Sequence, residues 1–150
     1  MDQVVKPILA LLRQGATPEK LALTIALGVA CGVFPILGMA TILCAVVALP
    51  LGLNQVGIQV VNFAVFPFQL GGIPVFVRLG EWLLDASRAS LSLADLAQQF
   101  QEDPDGALRA LELVGIHATV GWAVIAPLLS IALYAATAPS LRRAFERMRE

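Results

Sequence analysis

The amino-acid sequence predicts an all-α, polytopic membrane protein built from short helices that proline and glycine interrupt. Residues 21–77 contain no Asp, Glu, Lys or Arg, in a chain that is 58% hydrophobic and 14% charged. A soluble helical bundle, the alternative, should carry a polar stripe, whereas one bilayer span needs only about 20 apolar residues. The residues that interrupt this apolar segment are Gly28, Gly32, Pro35, Gly38, Pro50, Gly52, Gly57, Pro67, Gly71, Gly72 and Pro74.

Residues 1–15 have apolar side chains at helical spacing, opposite basic and polar ones. This pattern is typical of an amphipathic helix that lies on the membrane surface. A second helix is expected to begin at Thr17, which can cap it, with Pro18 at its first position. It should run to Phe34, and residues 17–86 then form the predicted membrane core.

The breaks divide this core into further short helices, predicted at residues 39–49, 55–65 and 70–84. Pro35 and Gly38 form the first break, because proline removes a backbone donor and glycine permits a turn. Pro67 forms the second break. Re-entrant helices are one arrangement that such breaks allow, since irregular backbone in a membrane survives only where protein or a wet cavity satisfies it.

The second part of the chain alternates between polar and apolar segments. Residues 87–111 are rich in polar and charged side chains and predict a helical excursion outside the membrane, with a short helix that starts at Ser92. Residues 112–138 are apolar and long enough for a final span, kinked at Pro127. Residues 139–150 form a basic tail.

Four glycines are spaced for close packing between helices. Gly28 and Gly32 form a GxxxG pattern, which lets another backbone approach closely. Gly115 and Gly121 lie on either side of Ala118 in the final span and predict a second small-residue face.

The distribution of charge predicts cytoplasmic termini. Basic residues precede the apolar segment and four arginines lie in the tail, whereas the excursion mixes acids with bases. The positive-inside rule then places the excursion outside the cell, which requires an odd number of crossings before Arg78. The competing topology has two re-entrant hairpins, tipped at residues 35–38 and 67–72, and returns the excursion to the cytoplasmic side.

Several fragments, taken together, resemble a known bacterial family. They are Gly15-Ala16-Thr17-Pro18-Glu19-Lys20-Leu21-Ala22-Leu23, Ala26-Leu27-Gly28-Val29, Gly32-Val33-Phe34-Pro35-Ile36-Leu37-Gly38 and Leu53-Asn54. In this order they are similar to the DUF2062 family, over residues 15–84. The resemblance implies a small multi-pass protein of the bacterial cytoplasmic (inner) membrane without an established activity. Some members are attached to glycosyltransferase-type domains, which implies work on lipid-linked sugars or on the envelope.

Many members of that family carry an Asn-Pro-x-Thr element in the second half. The matching place here reads Phe66-Pro67-Phe68-Gln69, so Phe66 stands where the asparagine is expected. The nearby amides of Asn62 and Gln69 are candidates to supply the lost polarity. A role of the family's asparagine therefore does not carry over to Phe66.

Amide side chains and break residues are the candidate substrate-binding groups, because polar groups in hydrocarbon are costly. They are Asn54, Gln55, Gln59, Asn62 and Gln69, together with Pro35, Gly38 and Pro67. One interpretation is a site for a headgroup or small solute, formed by the amides and by the backbone groups freed at the breaks. The other is that the amides bond neighbouring helices and hold the bundle together, at about 0.6–2 kcal/mol each.

The sequence offers no constellation typical of an enzyme, so catalysis, a metal and a cofactor are not expected. His117 is the only histidine. It could act as a proton switch, but no carboxylate shares its apolar segment, so a packing role is favoured. Cys31 and Cys44 are interpreted as small packing residues. The net charge of −1 argues against a nucleic-acid partner.

Two functions follow from these patterns. The first is transport or translocation of a lipid-linked or small anionic substrate through a site at the broken helices. The second is a non-catalytic subunit or scaffold that associates with an envelope enzyme or complex through its small-residue faces. Membrane lipids are expected partners under both, and a homo-oligomer or a larger membrane complex is compatible with both, because 150 residues make a thin bundle.

Overall fold

In a computed structural model, the described residues, 17–89 and 92–147, form six α-helices and no strand. The helices are α1 (Pro18–Gly32), α2 (Met39–Ala48), α3 (Gln55–Ala64), α4 (Phe66–Leu83), α5 (Leu93–Glu102) and α6 (Pro104–Glu146). The all-α prediction is confirmed for this part of the chain. The amphipathic helix predicted for residues 1–15 and the last residues of the basic tail, 148–150, lie outside the described residues.

Local sequence chemistry explains where the early helices begin and end. The Thr17 hydroxyl accepts a hydrogen bond from the Lys20 N–H at 3.2 Å, and Pro18 occupies the first turn of α1. The helix ends at Gly32, two residues before the predicted Phe34, because Pro35 disfavours helical backbone before it. Gly38 then adopts a left-handed conformation, with φ of 84°, immediately before α2.

The first three helices pack as a compact group. The α1 and α2 helices form a hairpin whose tip is residues 35–38, and α2 runs antiparallel to α3. The α3 helix therefore runs parallel to α1. A side chain on Gly28 would meet Val61, and one on Gly32 would meet Val65. At the open end of the hairpin, Lys20 Nζ donates a hydrogen bond to the Gly52 carbonyl at 3.3 Å.

A single residue, Val65, separates α3 from α4, and the two helices meet at a bend of 66°. The predicted break is present, but α4 begins at Phe66 and not near Leu70. Pro67 therefore lies in the first turn of α4, where its missing N–H would have no helical partner in any case. The α4 helix continues through Pro74 to Leu83.

The last helix, α6, is the element against which the others pack. It continues through Pro127 and Pro139, and its 43 residues span about 64 Å. Both α1 and α4 run antiparallel to it. Trp122 bonds α1 near its C-terminal end, and Arg142 pairs with Glu19 at the other end, with 2.8 Å between Nε and Oε1.

Glycine permits the closest contact in the bundle, between α4 and α6. A side chain on Gly80 would overlap the His117 carbonyl, and one on Gly121 would overlap the Phe76 carbonyl. Beside this contact lies a small apolar core formed by Val33, Phe76, Val77 and Ala118. A second core, between α1, α2 and α3, contains Cys31, Cys44, Ala48, Leu53 and Ile58.

Much of the apolar surface of the described residues is exposed. Among these residues, α6 is the one helix long and apolar enough to cross a membrane, and α3 with α4 is a second candidate if the bent pair counts as one span. The apolar window of α6 has a mean hydropathy of 1.8, and only 17% of it is buried. The core helix of a soluble protein would be mostly buried. The exposure therefore agrees with an apolar solvent around α6.

Alanine at Gly80 or Gly121 should destabilise the protein. Each new methyl group would overlap a backbone carbonyl of the facing helix, and overpacking of this kind costs about 1–3 kcal/mol or more. Thermal unfolding of the purified protein in detergent measures the effect.

Gly115→Ala is the matched control on α6, because no atom in the described part of the chain lies within 4 Å of the added methyl group. It should leave the melting temperature unchanged or raise it, since alanine favours helix over glycine by about 1 kcal/mol. Equal melting temperatures for all three variants would contradict the close α4–α6 contact.

Candidate functional site

The predicted amides of α3 mostly bond α2. Gln55 Nε2 donates to the Ala45 carbonyl at 3.2 Å, and Gln59 Nε2 donates to the Thr41 carbonyl at 2.9 Å. Side-chain donors on one helix therefore meet main-chain acceptors on the other. In an apolar environment this spares the amides the cost of an unmet hydrogen bond.

Asn62 is the most buried of the α3 amides, with 5% of its surface exposed. Its Nδ2 donates to Gln59 Oε1 at 3.0 Å and to the Thr41 hydroxyl at 3.2 Å. Asn62 also lies directly beneath Gly32, where a side chain would meet it. Asn54 has a different role, because its Oδ1 accepts from the Gly57 N–H at 2.8 Å and caps α3.

Gln69 joins the two breaks that the sequence singled out. Its side chain, 3% exposed, donates from Nε2 to the Phe34 carbonyl at 2.6 Å. Phe34 directly precedes Pro35, and Gln69 follows Pro67 by two residues. The tip of the α1–α2 hairpin is therefore fastened to the first turn of α4.

Trp122 caps the same end of α1 from α6, which sequence reasoning missed. The Phe34 N–H bonds the Cys31 carbonyl at 3.1 Å and not the Ala30 carbonyl. Ala30 instead accepts from Trp122 Nε1 at 2.8 Å, and the Trp122 ring meets Phe34 edge-on at 4.8 Å between centroids. A tryptophan deep within a predicted span was the available signal, since its N–H needs a partner when buried.

The predicted residues therefore do not converge on one open polar cavity. Four of the five amides donate hydrogen bonds to protein groups, and the fifth, Asn54, caps a helix. Gly38 lies at the exposed hairpin tip, and Pro67 lies inside α4. The amides instead satisfy backbone carbonyl groups near the breaks. Few backbone groups there remain available to a ligand.

An open cleft lies beside the hairpin tip instead. Its volume is about 510 Å³, and its lining is almost entirely apolar. The lining residues are Ile36 at the tip and Leu111, Glu112, Gly115, Ile116, Thr119 and Val120 on α6. Glu112 is the one charged residue among them. This shape and chemistry fit a hydrocarbon chain or an apolar helix better than a small solute.

The predicted packing glycines divide between the bundle and this cleft. Gly28 and Gly32 face α3, and Gly121 faces α4, where each leaves too little room for a side chain. At Gly115, which borders the cleft, no atom of residues 17–89 or 92–147 lies within 4 Å of an added Cβ. Gly80 on α4, which the sequence did not single out, packs most closely against α6.

A charged pair lies near the C-terminal end of α4. Arg78 Nη1 meets Glu81 Oε2 at 2.7 Å, and the Ala89 N–H donates to Glu81 Oε1 at 2.7 Å. His117 lies opposite on α6, and its buried Nδ1 has no hydrogen-bond partner within the described residues. Among those residues, no three His, Cys, Asp or Glu side chains are grouped as metal ligands.

The comparisons with known proteins identify a family and no activity. The family described as "Uncharacterized protein conserved in bacteria (DUF2062)" matches residues 4–150, nearly the whole chain. No curated protein matches this chain, and no solved structure matches it. The resemblance that the sequence motifs predicted is therefore confirmed, and it extends beyond the residues 15–84 that carried it.

Gln69→Met should destabilise the bundle, because it keeps the apolar volume but leaves the Phe34 carbonyl without its donor. A buried acceptor that loses its partner costs about 1–3 kcal/mol. The melting temperature in detergent measures the loss. The matched control is Gln98→Met, which removes an exposed bond to Glu102 within α5 and should change the melting temperature little. If both variants melt alike, the Gln69–Phe34 bond does not hold the two breaks together.

Proposed function

The chain belongs to the DUF2062 family, and from its geometry we propose that it is a multi-pass protein of the bacterial cytoplasmic membrane that translocates an amphipathic, lipid-type substrate. The observation that carries the proposal is the apolar cleft between the hairpin tip and α6. Its position at a helix break, open along the flank of an exposed apolar helix, allows a lipid chain to enter sideways from the bilayer.

The lengths of the helices support this membrane arrangement. The α1 and α2 helices are about 22 Å and 15 Å long, both shorter than the ~30 Å hydrocarbon core, and they form a hairpin. Such a hairpin enters and leaves the membrane on the same side. The bent α3–α4 pair, with a combined length of about 42 Å, and α6 are each long enough to cross. The proposed topology is one re-entrant hairpin and two crossings.

The contacts at the C-terminal end of α6 support cytoplasmic termini. The start of α1 pairs with Arg142 near the end of α6, and Lys20 at that end bonds the turn after α2. These cations and the neighbouring Arg143 gather at one end, which the positive-inside rule assigns to the cytoplasm. The excursion then lies on the outer side, because α4 runs towards the opposite end of α6.

The chemistry of the cleft also narrows the choice of substrate. A small anion would need cations or free N–H groups, whereas the cleft contains one carboxylate, Glu112, and the amides near the breaks are already bonded. The hydrocarbon portion of a lipid fits these walls. We therefore assign the cleft to the chain of a lipid or lipid-linked molecule and not to a small anionic solute. No chemistry at the cleft requires the protein to be an enzyme or to hold a cofactor.

A specific observation also favours the second function, a non-catalytic subunit or scaffold. Gly115 and Thr119 lie one turn apart and line the cleft, and a small-xxx-small surface of this kind lets a partner helix approach closely. The occupant could be a helix of an envelope enzyme or a second copy of the chain. The bonded amides agree with this function too, since they make the bundle rigid.

Single cysteines placed outside the apolar core test the proposed topology. Leu51→Cys in the α2–α3 turn and Ser140→Cys near the end of α6 should react with a membrane-impermeant maleimide from the same side of sealed vesicles. Gln98→Cys in the excursion should react from the opposite side. Labelling of all three from one side would contradict the two crossings. The native Cys31 and Cys44 are buried, which keeps the background low.

Filling the cleft tests translocation. In proteoliposomes, the protein should speed the inward movement of an NBD-labelled phospholipid, measured by the fraction that external dithionite quenches. Gly115→Phe places a ring in open space and should slow that movement at least tenfold. Leu128→Phe is the control, because it adds a ring on α6 at a position that is 64% exposed and outside the cleft.

The outcomes separate the two functions. Loss of lipid movement in Gly115→Phe alone supports translocation. No movement with the unaltered protein contradicts it. If Gly115→Phe instead loses a partner or a second copy that the unaltered protein and Leu128→Phe retain on purification from native membranes, the cleft is a helix-docking surface.

A further inference from the structure

A second, polar cleft lies at the C-terminal end of α4 and has no part in the proposed translocation. Its volume is about 400 Å³. The lining residues are Arg78, Glu81, Trp82, Asp85, Ala86 and Arg88. None of them lines the apolar cleft. In the proposed topology this cleft lies where α4 leaves the membrane, at the level of the lipid headgroups.

A buried carboxylate fixes the shape of this polar cleft. The Glu81 side chain is only 3% exposed, and it accepts from Arg78 and from the Ala89 N–H. Arg78 Nη2 also donates to the Ala89 carbonyl at 3.2 Å. The chain reverses at Asp85, with φ of 50°. The segment after α4 is thus hydrogen-bonded back onto the helix. These bonds fix the wall of the cleft, which two arginines line.

The remaining charges of the cleft are opposite in sign and separate. Within the described residues, the ion pairs are Arg78–Glu81 and Glu19–Arg142. Asp85 and Arg88 both line the cleft without pairing with each other, and neither side chain makes a hydrogen bond to another described residue. Because Arg78 and Glu81 neutralise each other, the part of the cleft that the structure describes offers one free cation, Arg88, and one free anion, Asp85. That pattern complements a zwitterion.

Trp82 adds the apolar part of the recognition. Its side chain is 76% exposed beside the cleft, near the end of a helix whose earlier residues, 66–77, carry no charged side chain. Tryptophan favours the boundary between hydrocarbon and headgroups, where its ring meets the acyl region and its N–H meets water. An exposed tryptophan beside one positive and one negative side chain complements the glycerol region and the zwitterionic headgroup of a phospholipid.

We propose that this polar cleft binds the zwitterionic headgroup of a phospholipid, with the phosphodiester on Arg88 and the ammonium group of phosphoethanolamine on Asp85. Guanidinium groups bind phosphate oxygens through strong charge-assisted hydrogen bonds. The Trp82 ring lies against the glycerol and the first carbons of the chains. Free phosphate shares the anionic half of this chemistry and lacks both the ammonium and the chains.

Native mass spectrometry of the full-length protein, released from detergent, tests this site. The probes are dipalmitoyl phosphatidylethanolamine, the matching phosphatidylglycerol, diacylglycerol and inorganic phosphate, each added alone. Phosphatidylethanolamine should be retained at higher occupancy than diacylglycerol, because diacylglycerol lacks the headgroup and its chains fit only the apolar cleft. Arg88→Gln should weaken the binding of phosphatidylethanolamine about tenfold, which is the loss expected for one charged hydrogen bond. Arg109→Gln is the control, because it removes an exposed arginine of α6 that does not line the cleft.

Asp85→Asn tests the ammonium half, and asparagine tolerates the left-handed backbone there. It should lower binding of phosphatidylethanolamine and leave that of phosphatidylglycerol unchanged. Retention of phosphate without either phospholipid would make the site one for free phosphate and overturn the lipid assignment. Equal losses in Arg88→Gln and Arg109→Gln would also overturn it. Asp85 and Arg88 lie outside the apolar cleft, so the loss that their substitutions cause reports on the headgroup site alone. The headgroup site can therefore be disproved while the translocation proposal stands, and the translocation proposal can be disproved while the headgroup site stands.

Discussion

Backbone carbonyls at the end of α1 lack a helical hydrogen-bond donor, and side chains from two later helices, α4 and α6, supply the donors. Two such carbonyls, those of Ala30 and Phe34, accept from Trp122 on α6 and from Gln69 on α4. Both donors are uncharged side chains on helices that come later in the chain. Away from water an unmet carbonyl costs several kcal/mol, because no solvent molecule replaces the lost partner. The capping bonds therefore fix α1, α4 and α6 relative to one another.

Glycines of α4 and α6 also help to fix the position of these two helices, through a contact in the second half of α4. Gly80 and Gly121 let the two backbones approach until no side chain fits between them. This contact holds the second half of α4 against α6, while the Gln69 hydrogen bond fastens the first turn of α4 to the hairpin tip. Beyond the tip, no described residue lies within 4 Å of a side chain added at Gly115 on α6, and the apolar cleft is the space beside it. The proposed lipid path is thus a consequence of how the helix break is capped.

Helix boundaries could be predicted well where a local rule governs them. Thr17, Pro18 and Ser92 cap or begin helices as expected, because these effects act within one turn of the chain. Prolines were harder to interpret. The sequence predicted that the helix after Pro67 would begin only near Leu70 and that Pro139 would precede a tail, yet α4 includes the first and α6 continues through the second. Proline removes one donor, and neighbouring contacts decide whether the helix stops, bends or continues.

The sequence by itself determined the helical class, the apolar character, the family, the positions of the breaks and the identity of the amides, because composition, spacing and local backbone chemistry fix them. The tertiary structure decided what the amides do. Gln55, Gln59, Asn62 and Gln69 bond main chain or side chains that are 3 to 35 residues away, and no periodicity reveals whether such a partner is present. It also decided that Gly115 borders open space while Gly121 does not, since that depends on where a distant helix lies.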